Sequence, residues 1–211
     1  MLPPDAGMFT HAYLDVCPPT LQLRQPAPKR RMPMRPVEAP GSSGPGVRDA
    51  RETVLVTFGT VFHQATTVIG DIVRAVARLP VDVLATSGPD ISPRALEPLP
   101  ANVRVEQYVS FGTVLPQCAA VVTHGGSGTT LASLAHGVPL VFVPQGADQF
   151  LNASQVSAAG AGVTAEQDSA ATCVLDVLTT PAYRESANAV AVEIAAMPSA
   201  DDVAATLRWF L

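Results

Sequence analysis

The chain has 211 residues, 47% of them hydrophobic, and carries a formal net charge of −5 at pH 7. That length accommodates one large domain, or one domain with an appendage. The acidic balance makes it a poor candidate for nucleic-acid binding, which needs clustered Lys and Arg to displace counterions. Residues 1 to about 50 are rich in Pro, Gly, Ser and Arg and end in PGSSGPG, a composition that resists long regular structure. Within them only AYLDVCPP, residues 12–19, reads as a short strand running into a proline stop. The basic cluster Lys29, Arg30, Arg31 and Arg35 sits among prolines and reads as solvated linker. The first residues, MLPPDAGMFTHAY, have neither the basic nor the apolar region of a signal peptide. No apolar run approaches the roughly 20 residues that span a bilayer. Cys17, Cys118 and Cys173 are far apart and lack CxxC spacing, which argues against a disulfide framework or a zinc site. Reduced thiols and a cytoplasmic location are the expectation.

From Thr53 onward the chain alternates between apolar runs and helical periodicity. Strands are expected at 53–58, 81–87, 103–108, 119–124, 139–144 and 162–166. A helix over 65–79 places Val68, Ile69, Ile72, Val73, Val76 and Leu79 on one face. Further helices are expected at 111–117 (short), 127–137, 148–160, 169–179, 182–196 and 200–210, with Gly137 and Gly160 as stops. Strands that are apolar throughout, separated by helices, imply a parallel sheet covered on both faces. The expected architecture is an α/β, Rossmann-like, doubly wound parallel six-stranded sheet in strand order 3-2-1-4-5-6, formed by residues 51–211. In such a sheet ligands sit beyond the carboxyl ends of the strands, near the switch between the first and fourth. The corner at Gly59-Thr60 and the corner at His124 should therefore face one crevice.

The second corner is His124-Gly125-Gly126-Ser127-Gly128-Thr129-Thr130. A helix beginning at Ser127 leaves its first N–H groups unpaired. The glycines let a ligand approach the backbone, and the hydroxyls add donors. This describes an anion site, most naturally for phosphate. The glycines alone leave equally open a tight strand–helix turn in which Ser127 is only an N-cap. A Walker A loop requires a lysine, and none is present here. The dinucleotide fingerprint requires a third glycine after the first strand. A hydrolase elbow requires glycine where Thr129 stands. A Rossmann-like epimerase or other dinucleotide enzyme would need an early GxGxxG and a Tyr-x-x-x-Lys pair, and the sequence has neither. Asn152-Ala153-Ser154 matches a glycosylation sequon, which without an export signal reads as chance.

The wider constellation adds Gly137-Val138-Pro139, Pro144, Asp148-Gln149 and Asn152-Ala153, the early VTFGT of residues 56–60, and Met197-Pro198-Ser199 before the last helix. Together these resemble the donor-binding signature of family 1 glycosyltransferases of the GT-B fold, most closely the bacterial macrolide-type branch that decorates polyketides and other natural products. The resemblance runs from about residue 52 to the end. It implies the C-terminal, donor-binding half of a GT-B enzyme that moves a hexosyl group from a UDP- or dTDP-sugar to a hydroxyl of a small-molecule acceptor. It further implies that His124 bonds the diphosphate and that Gly126, Ser127, Gly128 and Thr129 cradle the second phosphate. Asp148 and Gln149 would hold sugar hydroxyls, a carboxylate accepting from two vicinal hydroxyls and an amide both donating and accepting. A helix-capping role for that pair stays open. Tyr108 and Val109 fall where the base-binding loop begins, and Gly59 and Thr60 would line the phosphates from the other side. His63 lies close by without an assigned role. No cofactor and no metal are implied, since helix-end amides neutralise the leaving group and no DxD triplet occurs.

The resemblance does not reach the acceptor-binding domain, which carries the catalytic base, a His backed by an Asp. Residues 1–50 resemble only the last strand of that domain, at residues 13–19, and the interdomain linker. His11 lies too close to the linker to be the base. No catalytic residue is therefore assigned, and this chain alone is expected not to transfer sugar. The alternative is a nucleotide-sugar binding module with no activity of its own.

Overall fold

The computed structural model describes residues 12–23, 31–37, 51–59, 66–89 and 91–207. Among the described residues the strands are β1 (Tyr13–Asp15), β2 (Arg31–Pro33), β3 (Thr53–Thr57), β4 (Asp82–Thr86), β5 (Val103–Glu106), β6 (Cys118–Thr123), β7 (Leu140–Phe142) and β8 (Gly162–Thr164). The α-helices among the described residues are α1 (Thr66–Val76), α2 (Phe111–Val114), α3 (Ser127–Ala135), α4 (Gln149–Ala158), α5 (Ala170–Thr179), α6 (Pro181–Ala196) and α7 (Ala200–Leu207). β3 to β8 form one sheet in the order β5-β4-β3-β6-β7-β8, parallel at every pairing. This is the expected order, with the switch between β3 and β6.

Alternate residues of each strand enter opposite cores, as a period of two requires. Val54, Val56, Ala120, Val122 and Val141 pack with Ile69, Ile72, Val73 and Val76 of α1 and with Val174 and Val177 of α5. Leu55, Val121, Leu140 and Phe142 pack on the other face with Leu134 of α3, Val156 of α4, and Val190 and Ile194 of α6. Each buried Val, Leu, Ile or Phe among them stabilises the fold by about 1.5–3 kcal/mol. Burial on both faces therefore holds strands that are only three to six residues long. Val68 and Leu79, expected on the buried face of the first helix, pack at the margin of its core.

Proline sets several boundaries. β7 spans Leu140–Phe142 rather than 139–144, because Pro139 and Pro144 have no N–H for the ladder. The two glycine stops are realised as Schellman caps. Gly137 takes φ 65° and Gly160 φ 72°. At the first, Gly137 N–H bonds Leu134 O at 3.0 Å and Val138 N–H bonds Ser133 O at 2.9 Å. At the second, Gly160 N–H bonds Ser157 O at 3.0 Å and Ala161 N–H bonds Val156 O at 3.1 Å. Residues 208–210, the expected end of the last helix, lie outside the described residues.

The segment before the sheet differs from expectation. A second strand, β2, pairs in parallel with β1, matching Tyr13 with Arg31 and Asp15 with Pro33. Asp15 is buried and forms an ion pair with Arg31 Nε at 2.6 Å. Leu21 is buried in the α3–α6 core, and Thr20 bonds the Glu193 carboxylate of α6 through its N–H at 3.0 Å and through its hydroxyl. Arg35 N–H donates to Pro198 O at 2.8 Å. Arg31 is thus tied to the fold rather than solvated, Arg35 is anchored through its backbone while remaining exposed, and Lys29 and Arg30 lie outside the described residues. Among the described residues no helix is long and apolar enough to cross a membrane. The three cysteines are free thiols, and burial pushes the Cys118 thiol up to about 12.

Arg184 of α6 joins the elements that carry the second corner. Its guanidinium donates to Gly137 O at 3.0 Å, Cys118 O at 3.1 Å and Ala119 O at 2.6 Å, linking the end of α3 to the start of β6. Removing it leaves three half-buried carbonyls without this donor. Arg184→Ala is expected to cost about 2–3 kcal/mol, read as a lower urea midpoint with an unchanged slope. A loss under 0.5 kcal/mol would show that solvent replaces the clamp.

Candidate functional site

All six parallel strands end on one edge of the sheet. β3 and β6 are neighbours there, with Thr57 opposite Thr123. The residues that follow them, Phe58-Gly59 and His124-Gly125, therefore meet. The His124 ring stacks on Phe58 at 6.1 Å between centroids and 25° between planes. It also occupies the space that side chains at two glycines would need. A Cβ at Gly59 would lie 2.9 Å from His124 Cε1, and one at Gly126 would lie 2.7 Å from His124 Nε2. Gly59 also takes φ +70°, in the left-handed region. The imidazole thus lies flat between two backbone turns. Thr60 and His63, the continuation of the first turn, lie outside the described residues.

α3 begins at Ser127, as expected, but its N-cap is Gly126 rather than Ser127. Gly126 is the N-cap, at φ −61° and ψ 139°, and no side chain caps the helix among the described residues. Its carbonyl accepts from Thr130 N–H at 3.0 Å, so the amides of Ser127, Gly128 and Thr129 precede the first intrahelical bond. Gly128 borders open space, since a Cβ built on it would meet nothing within 4 Å. Thr129 and Thr130 are buried, while Ser127 is exposed.

The loop between β7 and α4 completes the corner. Asp148 is the N-cap residue of α4, and Ala147 before it holds φ 54°. Asp148 Oδ2 accepts from Ser127 Oγ at 3.0 Å and from Asn152 Nδ2 at 3.2 Å. Asn152 Nδ2 also reaches Gly125 O at 2.8 Å and Ser127 Oγ at 3.2 Å. Gln149 lies deeper than its expected role suggests. Its side chain is 3% exposed, and its Oε1 accepts from Gln145 N–H at 2.7 Å and Gly146 N–H at 3.0 Å. It shapes the loop from beneath.

Tyr108 and Val109 follow β5 on the same edge, two strands from β3. Tyr108 is 62% exposed and Val109 is buried. Among the described residues no hydrogen bond joins them to the His124 corner. A cavity of about 840 Å³ opens beside the corner. Ser127, Asp148 and Asn152 line one wall, and Tyr13, Cys17 and Arg31 of the leading segment line another. Among the described residues no group of three His, Cys, Asp or Glu side chains is arranged to hold a metal ion.

Sequence reasoning missed Phe58 as the stacking partner of His124 and Asn152 as the hub of the polar contacts. The signal for Asn152 was its spacing: it stands four residues after Asp148, one turn along the same helix face. Burial lowers the His124 pKa from its ordinary 6.5, and Asp148 works in the opposite direction. Between those two values the unfolded chain holds a proton that the folded chain does not. Stability is therefore lost as pH falls from about 6.5 through the folded value, by at most about 1.4 kcal/mol per pH unit. His124→Gln is expected to lose less stability than the parent between pH 7.5 and 5.5, measured by urea unfolding. Parallel losses in the two proteins would show that His124 titrates alike folded and unfolded.

Residues 73–209 match the family described as erythromycin biosynthesis protein CIII-like, C-terminal domain. The elloramycin glycosyltransferase ElmGT of Streptomyces olivaceus is 43% identical over 167 residues, covering 77% of this chain and 43% of that protein. The crystal structure of the glycosyltransferase SnogD from Streptomyces nogalater superposes with a TM-score of 0.81 at 30% identity, over 94% of this chain and 57% of that one. The spinosyn rhamnosyltransferase SpnG complexed with thymidine diphosphate superposes with a TM-score of 0.84 at 28% identity, over 92% of this chain and 56% of that one. The chain thus spans about half the length of these relatives. With the matched family covering more than half of it, the chain belongs to the erythromycin biosynthesis protein CIII-like C-terminal domains.

Proposed function

We propose that the chain is the donor-binding half of a natural-product glycosyltransferase and binds the nucleoside diphosphate of a UDP- or dTDP-sugar at the His124 corner. The observation that carries this reading is the start of α3, where a glycine N-cap leaves the leading amides without a side-chain cap. Leading amides and the helix dipole together stabilise a bound anion by roughly 0.3–2 kcal/mol at a single helix end. The bound thymidine diphosphate named for SpnG supports the same ligand class for this chain.

In this reading the diphosphate lies across the switch between β3 and β6. His124 bonds one phosphate, with its ring held flat by Phe58, Gly59 and Gly126. Gly126, Ser127, Gly128 and Thr129 enclose the second phosphate, and Gly59 and Thr60 flank it. Tyr108 and Val109 border the pyrimidine. Asp148 accepts from sugar hydroxyls, and Gln149 holds the loop that presents it and offers its amide nitrogen. The chemistry supplied here is on the leaving-group side: charge that develops on the diphosphate as the glycosidic bond breaks meets fixed N–H dipoles and His124. No metal and no further cofactor enter this scheme. The acceptor hydroxyl belongs to a small molecule, and its deprotonation is not assigned to any residue of this chain.

Gly128 separates this reading from a bare structural turn. Alanine there meets no protein atom and replaces a helical glycine, so Gly128→Ala should raise stability by about 0.5–1 kcal/mol. The same methyl stands in front of the leading amides and should weaken dTDP or UDP at least tenfold. Calorimetric titration of parent and variant with dTDP, UDP, NAD and ATP checks both effects. Tighter binding of NAD than of both pyrimidine diphosphates, or unchanged dTDP and UDP affinity in the stabilised variant, would overturn the proposal.

A further inference from the structure

The polar contacts at the mouth of the cavity converge on one amide. Asn152 Nδ2 has two hydrogens and three acceptors: Gly125 O at 2.8 Å, Ser127 Oγ at 3.2 Å and Asp148 Oδ2 at 3.2 Å. The short bond to Gly125 O takes one hydrogen, and the other is shared between Ser127 and Asp148. Ser127 Oγ in turn donates to Asp148 Oδ2. Asp148 Oδ2 thus receives two donors from the protein before any ligand arrives, which fixes the carboxylate. These contacts join three segments: the β6–α3 turn, the first residue of α3, and the β7–α4 loop with α4. Asp148, Ser127 and Asn152 all line the cavity, so the fixed carboxylate faces space a ligand can enter.

We propose that Asn152 is a positioning residue for sugar recognition: it locks the Asp148 carboxylate and the Gly125 turn into one rigid unit, so that the donor sugar meets an already oriented acceptor. This rests on the donor-binding reading above. The residue is an amide because it must donate in two directions at once. Asparagine does so without charge, whereas aspartate at the same position faces the Gly125 carbonyl and the Asp148 carboxylate with acceptors only.

That difference provides a test that a purely structural role would not pass. In Asn152→Asp two carboxylates stand within hydrogen-bond reach, and such a pair holds one proton well above the usual carboxylate range. The shared proton restores a donor toward Asp148 on the acid side, and its loss on the alkaline side leaves two like charges. The other charged or titratable groups around this cluster are His124 at the end of β6 and, from the leading segment, Tyr13 and Asp15 of β1, Cys17 just after β1, and Arg31 of β2. They are common to parent and variants and cancel in the comparison.

Dissociation constants for dTDP-glucose and dTDP should be measured for the parent, Asn152→Ala and Asn152→Asp from pH 5 to 8, with melting curves for each protein. For Asn152→Ala we expect dTDP-glucose to bind about tenfold more weakly, with a smaller loss for dTDP and no added pH dependence. For Asn152→Asp we expect a larger loss for dTDP-glucose at pH 8 that recovers toward pH 5 beyond any change in the parent. Equal losses for both ligands in Asn152→Ala, or an Asn152→Asp variant whose ratio to the parent is flat with pH, would overturn the role of Asn152 and leave the donor reading standing. A parent that binds neither ligand overturns the donor reading and this inference with it. Should Asn152→Asp fail to fold, the split between the two ligands in Asn152→Ala decides.

Discussion

Everything at this site depends on β3 and β6 running side by side in parallel with Thr57 opposite Thr123. That register brings the ends of two non-consecutive strands together and places the His124 ring over Gly59. The ring excludes a side chain at Gly59 and at Gly126 alike, with approaches of 2.9 and 2.7 Å to a would-be Cβ. Both glycines are thus required by the imidazole as much as by any ligand. Gly128 differs, because nothing in the protein occupies the space before it. A glycine that no neighbour requires, at the uncapped start of a helix, is the feature that packing leaves unexplained.

The surroundings hold this geometry in place by ordinary means. Two cores, one on each face of the sheet, fix the strands; the Schellman caps at Gly137 and Gly160 end α3 and α4 on the side away from the corner. Arg184 ties the end of α3 to the start of β6. The corner can then leave amides unpaired without loss of order, because its position is set by buried apolar contacts. Phe58 is one of the largest fully buried side chains, so the surface against which His124 lies is part of the packed core.

Much of the fold was legible because a parallel sheet buries both faces of its central strands, which turns β3, β6 and β7 into apolar runs. The strand order followed from that pattern together with the βα alternation. β2 was not legible, since Arg31-Met32-Pro33 has no apolar run and pairs with β1 through a non-local contact anchored by Asp15. At the site, the residues of the His124 turn were legible as a chain-continuous motif. Their arrangement was less so. Ser127 could be expected as the cap, yet Gly126 takes that position and frees the serine hydroxyl for Asp148. Gln149 reads as a ligand-facing amide, yet its oxygen is engaged by the Gln145 and Gly146 amides. Both outcomes depend on how the β7–α4 loop packs against the β6–α3 turn, and local spacing carries no signal for that.

The central claim is that the leading amides of α3 bind a diphosphate. Backbone amide NMR on the ¹⁵N-labelled chain, titrated with dTDP, tests it most directly. The account predicts that the largest saturable shifts fall on the amides of Gly126, Ser127, Gly128, Thr129 and Thr130, with His124 ring signals moving in step. Saturable shifts centred elsewhere on the sheet edge, such as the Ser87–Gly88 turn after β4, with residues 126–130 unmoved, would contradict it.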